Sequence, residues 1–171
     1  MTIRLSSIFS LIFLLLVSSH GFTSEPLVAE RAAILPPLYA EKFEHLDESK
    51  QSNLASYLGK NMIISLFGPD CSWCRKQHRV LKSIGTDCSN TAIIMMGVGA
   101  SKRKLQIELR RDKNKFPAFK INNNLLNAIG DPTVPRLMIF NHHGEAKINL
   151  LGFKPKDELL LLMREHLDAE C

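Results

Sequence analysis

A buried-strand pattern that leads directly into two closely spaced cysteines constrains this chain more than any other feature. The apolar run at residues 62–67 predicts a strand, and the glycine–proline pair after it would end that strand. Cys71 and Cys74 follow, with two residues between them. Residues 75–84 then carry their apolar side chains on one helical face. The sequence therefore predicts the order strand, break, C-x-x-C, helix.

This order has a chemical consequence for the two cysteines. If Cys71 begins the helix, unpaired backbone N–H groups and the positive end of the helix dipole favour its thiolate, which is the form that attacks disulfides. Cys74 lies one turn later, so it can displace a partner held on Cys71 in a mixed disulfide. A C-x-x-C pair is also half of a zinc site, but no second such pair and no H-x3–5-H follows it. We therefore predict no metal.

The N-terminal segment predicts the compartment. Arg4 precedes an apolar run at residues 8–17, and small or polar residues follow at 18–21. This pattern predicts a secretory signal peptide over residues 1–21. The run is shorter than the roughly 20 residues that span a bilayer, and an uncleaved membrane anchor is the alternative. Four cysteines in an exported chain suit an oxidising space, here the periplasm.

Composition and charge limit the classes of partner. The chain has 171 residues, of which 45% are hydrophobic and 23% charged, which is typical of one globular domain. Its net charge of +5 is modest, and no cluster of basic residues is interleaved with aromatic ones, so we predict no nucleic-acid partner. The basic stretch at 101–114 predicts a helix with a solvated face, with a docking surface for an acidic partner as the alternative.

We expect a proline-containing arm or linker at residues 22–40 and one folded domain at residues 41–171. The predicted elements of the domain are an edge strand at 43–46, a short helix at 52–58 ended by Gly59, the strand at 62–67, the C-x-x-C helix ended by Gly85, a buried strand at 91–98, the basic helix, a helix at 124–129 stopped by Gly130, a strand within 131–140, an antiparallel strand at 145–151 and a helix at 156–167.

Over residues 43–167 this order resembles the thioredoxin-like superfamily, and in detail the TlpA/ResA-like branch of exported thiol–disulfide oxidoreductases. The matching segments are Asn53-Leu54 to Gly59-Lys60, Phe116-Pro117, Ala128-Ile129-Gly130, His143-Gly144-Glu145 and residues 152–162. The resemblance implies an α/β thioredoxin fold, a single domain with a central mixed sheet flanked by helices.

The resemblance also implies a function. It implies a periplasmic thiol–disulfide oxidoreductase, an enzyme that acts through Cys71 and Cys74 without a cofactor, in the reducing direction as that branch does. Its partners would be exported protein thiols or disulfides and a membrane redox protein. A disulfide oxidase or a redox helper of an exported assembly is one alternative, and a non-catalytic binding or scaffold module with this fold is another.

In the family, a cis proline lies beside the cysteines and the backbone of the residue before it binds extended substrate. Carried over, these positions are Pro135 and Val134, with Trp73 completing a platform for the partner. The ordinary alternative is a trans proline that opens a strand.

Two departures from the family pattern concern the protons of the site. Asp70 stands where the family has tryptophan, and its charge should disfavour the Cys71 thiolate. Ser65 stands where thioredoxins have a buried acid, so Cys74 lacks the usual proton acceptor. Asp131 is a candidate substitute, although a turn role is the simpler interpretation. His78 is expected to be exposed, with proton handling as the alternative.

The two remaining cysteines each follow an apolar helix. In this fold both helices lie on the same face of the sheet and run away from the active edge, so their ends could meet. We predict a structural disulfide between Cys88 and Cys171, with a free or intermolecular Cys171 as the alternative.

Overall fold

The computed structural model describes residues 37–167 of the chain. Its elements in chain order are α1 (Pro37–Ala40), β1 (Phe43–His45), β2 (Gln51–Ser52), a 3-10 turn (Ala55–Tyr57), β3 (Asn61–Phe67), α2 (Ser72–Asp87), β4 (Thr91–Gly97), α3 (Lys102–Arg111), β5 (Ala118–Lys120), α4 (Asn123–Ile129), β6 (Arg136–Phe140), β7 (Ala146–Leu151) and α5 (Lys156–Leu167). The strands form one mixed sheet in the order β2-β1-β5-β4-β3-β6-β7.

The centre of the sheet is built from the two continuous apolar runs. Every residue of β3 is buried, and β4 is buried from Ile93 onward. The two strands pair in parallel, with Ile63 opposite Ile93. Continuous apolar runs form strands that are covered on both faces, so the sequence prediction of two buried strands is confirmed.

The strand on the other side of β3 positions the proline. β6 runs antiparallel to β3, and Arg136 at its start lies opposite Leu66 near the end of β3. Pro135 therefore enters the sheet close to the segment that carries the cysteines. β7 pairs back onto β6 as predicted, and the hairpin turn includes a hydrogen bond from the Gly144 N–H to the Asn141 carbonyl.

Buried apolar side chains form two clusters. One contains side chains of α2, α3 and α5, among them Leu81, Leu105 and Leu159. The other contains Tyr39 of α1 and Leu125 of α4. Burial raises the pKa of Tyr39 to about 12 because its phenolate would be desolvated. Helices therefore flank a central mixed sheet in an α/β architecture.

Three local predictions are wrong, and one strand was missed. Gly85 does not end α2, which continues to Asp87. The glycine instead lies against the sheet, where a Cβ would be 3.2 Å from the Cδ1 of Ile93. β1 is not an edge strand, since β2 lies outside it. Strand β5 was not predicted, because three residues carry too little pattern. Residues 52–58 contain only one 3-10 turn.

Several predictions concern residues outside 37–167. The signal peptide over 1–21, most of the arm over 22–40 and the position of Cys171 lie outside the described residues. Within residues 37–167, no helix has both the length and the apolar character needed to cross a membrane.

Candidate active site

The two cysteines lie at the start of α2 and form a disulfide with each other. Cys71 is the N-cap residue, in an extended conformation, and its Sγ accepts a hydrogen bond from the backbone N–H of Cys74 at 3.1 Å. The first turn of the helix thus directs a backbone donor at the sulfur of Cys71. The same donor and the helix dipole would stabilise a thiolate on Cys71 after reduction of the disulfide.

The two sulfurs differ in access. Cys74 is buried, with 6% of its surface exposed, whereas Cys71 is only partly buried. A thiolate from another protein therefore approaches Cys71 more readily than Cys74. The roles of Cys71 as the exchanging sulfur and Cys74 as the resolving one stay predictions.

Asp70 opposes the Cys71 thiolate less than its place in the sequence suggests. The residue has a φ of 55°, and its side chain is 89% exposed. One carboxylate oxygen lies 3.9 Å from a guanidinium nitrogen of Arg111. Solvent and this cation screen the negative charge, which weakens its repulsion of a thiolate on Cys71.

The proline loop lies beside the cysteine segment. The peptide bond between Val134 and Pro135 is cis, as the resemblance implied. A Cβ added to Gly68, the residue directly after β3, would lie 3.6 Å from the Cγ2 of Val134. Pro135 also lines one groove with Trp73. The fold thus brings together residues that are about sixty positions apart in the sequence.

That groove is mainly apolar and has a volume of about 380 Å³. Trp73, Val134, Pro135, Gly152 and Phe153 line it, and we call it the Trp73 groove. The Trp73 side chain is 53% exposed, and its ring centroid lies 5.7 Å from that of Phe153. Sequence reasoning missed Phe153, because it meets Trp73 only through the tertiary fold.

A buried arginine holds the proline loop in place. Arg136 Nη1 donates to the carbonyls of Ile129 and Asp131 at 3.0 and 2.9 Å, and its Nε donates to Asn149 Oδ1 at 2.8 Å. These bonds tie the segment before Pro135 to strand β7. Arg136 is 8% exposed, so water competes little for its donors.

Sequence reasoning also missed a buried carboxylate next to the cysteine helix. Glu108 of α3 is only 5% exposed and lies between two arginines. Its oxygens are 2.9 Å from Arg111 Nη1 and 3.7 Å from Nη1 of Arg75, the residue after Cys74. The pairing compensates the burial of the carboxylate and links α3 to the start of α2.

The position of the missing buried acid and the two residues considered for proton handling differ in burial. Ser65 is buried, at 2% exposure. Asp131 is exposed and accepts hydrogen bonds from the N–H and hydroxyl of Thr133, so it is a turn residue, as its simpler interpretation held. His78, expected to be exposed, is instead buried at 2% exposure. That expectation is wrong, because α2 turns the face containing His78 into the protein.

Cys88 lies at the buried end of α2, where the sequence analysis placed one partner of a disulfide. Its carbonyl accepts from the N–H of Thr91, and Thr91 lies opposite Asn61 in the sheet. The Asn61 side chain donates to the carbonyl of Leu167 at the end of α5. Both helices thus end near the first residues of the central strands β3 and β4. The pairing of Cys88 with Cys171 stays a prediction, because Cys171 lies outside the described residues.

Within the described range, no three histidine, cysteine or acidic side chains are grouped so that they could hold a metal ion. The chemistry that these residues offer is that of the sulfur pair itself. A strand leading to C-x-x-C at a helix start, beside a cis proline that opens an antiparallel strand, defines an α/β protein with the thioredoxin fold.

Comparison with solved structures supports this fold. No protein-family model matches the chain, and no curated protein matches it. Among solved structures, a secreted disulfide oxidoreductase of Mycobacterium tuberculosis aligns with a TM-score of 0.64 and 14% identity, covering 77% of this chain and 99% of that one. The exposed lipoprotein thioredoxin of Streptococcus pneumoniae gives 0.63 and 18%, covering 73% and 98%. A DsbF homologue from Corynebacterium diphtheriae gives 0.62 and 17%, covering 75% and 85%.

Proposed function

We propose that this chain is an exported thiol–disulfide oxidoreductase that exchanges disulfides with partner proteins through Cys71 and Cys74. The observation that carries the proposal is the disulfide at the start of α2, with one accessible and one buried sulfur, beside the cis proline. A purely structural disulfide needs neither the accessible sulfur nor the apolar groove next to it. The solved structures that share the fold include proteins named as disulfide oxidoreductases.

The exchange proceeds in two balanced steps when the protein acts as a reductase. The Cys71 thiolate attacks one sulfur of a partner disulfide, and the other partner sulfur leaves as a thiolate. Cys74 then attacks Cys71, so the Cys71–Cys74 bond forms and the second partner sulfur leaves. Two electrons pass from the cysteine pair to the partner. The sulfur pair carries these electrons itself, and the proposal needs no cofactor.

The Trp73 groove supports a polypeptide substrate. It is mainly apolar and is lined by Trp73, two residues after Cys71, and the aromatic faces of Trp73 and Phe153 offer contact area for an apolar side chain. Val134, before the cis proline, lies where the backbone of an extended partner segment would pass. We propose that Trp73, Val134 and Pro135 bind the residues around the partner cysteine.

The proposed location is the periplasm, with residues 1–21 as signal peptide, 22–40 as arm and 41–171 as the thioredoxin-like domain. The sequence pattern of the N-terminal segment supports export. Solved structures with this fold include a protein described as secreted and one described as an exposed lipoprotein. We propose the reducing direction from the resemblance to the TlpA/ResA-like branch, with a membrane redox protein restoring the dithiol.

The test traps partners on the accessible sulfur. In Cys74→Ala the mixed disulfide on Cys71 cannot be resolved, so exported proteins should accumulate as complexes that a reductant releases. Cys71→Ala is the matched control and should trap far less. Insulin reduction and a measured reduction potential of the wild-type protein then give the direction. An inactive wild-type protein with no trapped partner would leave the scaffold interpretation instead.

A further inference from the structure

His78 is a buried titratable group for which the exchange steps above give no role. It lies one helical turn after Cys74, and residues four apart on a helix have Cβ atoms about 5–6 Å apart. Both side chains are on the buried face of α2. Histidine on such a face is polar and costs free energy to bury, so its partners indicate what it does.

The two ring nitrogens of His78 have different surroundings. Nδ1 lies 3.6 Å from a carboxylate oxygen of Asp112, the residue that caps α3. Nε2 is buried and has no hydrogen-bond partner among residues 37–167. A carboxylate beside Nδ1 favours the tautomer with the proton on that nitrogen, which leaves the Nε2 lone pair free. The ring is thus arranged as a base that a carboxylate orients.

The groups around His78 keep it neutral while allowing a proton to be accepted. Burial lowers the pKa of His78 below its ordinary 6.5, and Lys82 on the same helix lowers it further, whereas Asp112 and Asn114 oppose this shift. The Lys82 ammonium donates to the Asp112 carbonyl at 2.6 Å, and the ring of Phe116 packs edge-on against the imidazole at a centroid distance of 5.7 Å. A lowered pKa favours the neutral imidazole, the form in which His78 can accept a proton.

We propose that His78 is the internal base for Cys74, and that Asp112 is the positioning residue that orients it. The inference rests on the proposed function, because it assigns a proton path to the resolving step. As Cys74 Sγ attacks Cys71 Sγ, the proton of the Cys74 thiol passes to His78 Nε2, the Cys71–Cys74 bond forms and the partner sulfur leaves as a thiolate. The imidazolium then returns the proton to solvent or to that thiolate. This route replaces the buried acid that Ser65 does not supply.

The test follows the resolving step directly. Reduced protein is mixed with oxidised glutathione, and quenched samples separate the mixed disulfide on Cys71 from the closed Cys71–Cys74 form. Trp73, the single tryptophan of the chain, reports the closure by fluorescence. Wild type, His78→Gln and Asp112→Asn are compared between pH 5 and 9. His45→Asn, which alters a histidine on β1, is the matched control.

We expect His78→Gln to resolve about 10²-fold more slowly at pH 7, the lower end of what a positioned general base contributes. The deficit should shrink towards pH 9, where the Cys74 thiol ionises without help. Asp112→Asn should show a smaller deficit with the same pH trend. The Asp112 side chain is partly exposed, so this variant should fold and can be measured even if His78→Gln does not fold.

A deficit of equal size at every pH would indicate a packing role and overturn the inference, as would wild-type rates in both variants at pH 7. A wild-type protein that never forms the mixed disulfide would instead overturn the proposed function itself.

Discussion

Replacing Arg136 with methionine should both destabilise the protein and displace the proline loop. The arginine is buried and donates three hydrogen bonds, to the carbonyls of Ile129 and Asp131 and to the side chain of Asn149. Methionine fills a similar volume but donates none of them. The acceptors on the 129–135 segment are partly exposed, so water can replace part of what is lost.

The magnitude follows from these contacts. Hydrogen bonds to charged groups contribute about 1.5–3 kcal/mol each, and solvation of the freed acceptors reduces this to about 1 kcal/mol, so the total loss is about 3 kcal/mol. Over the roughly 130 residues described, the unfolding entropy is about 0.27 kcal/mol/K near the midpoint. We therefore expect Tm to fall by about 10 °C.

Thermal unfolding monitored by circular dichroism measures the loss of stability. Insulin reduction at 25 °C, where the variant is still folded, measures how the displaced proline loop affects disulfide exchange. Arg103→Met, on the exposed side of α3, is the control and should change the free energy of unfolding by less than about 0.5 kcal/mol. A Tm within 2 °C of wild type would refute the role of the hydrogen bonds. A large loss of stability with unchanged exchange by the folded variant would refute their link to the site.

Three further predictions concern stability and the groove. Because the pKa of His78 is lowered in the folded state, the unfolded chain binds the proton more tightly. The stability that neutral His78 contributes should therefore be lost as pH falls below 6.5. Urea unfolding of His78→Gln should show a flatter pH dependence in that range. Gly97→Ala should cost about 1–3 kcal/mol, because its Cβ would lie 2.7 Å from Leu105 Cδ1; a neutral effect in urea unfolding would show that Leu105 moves aside freely. Trp73→Ala should raise KM for a peptide disulfide more than it lowers kcat, since it removes a binding surface shared with Phe153; unchanged KM would contradict a role for the Trp73 groove in binding.

Much of the candidate site could be predicted because its signals are local. The C-x-x-C pair, the break before it and the helix after it lie within residues 68–87, and the structure places Cys71 at the helix start as expected. Predicting the cis peptide bond before Pro135 required the family resemblance, since cis X-Pro bonds are too uncommon to infer from a proline alone. The burial of His78 was missed, because a single polar residue on a helix does not reveal which neighbour covers it.

The sequence by itself determined the buried strands β3 and β4 and the helix α5, whose bounds agree with the predicted 156–167. These elements have strong hydrophobic patterns that repeat over many residues. Only the tertiary structure decided that Phe153 meets Trp73, that Arg136 ties the proline loop to Asn149, and that Asp112 approaches His78. Each of these contacts joins different elements of the fold, and such contacts depend on how the elements pack rather than on the pattern within any one of them.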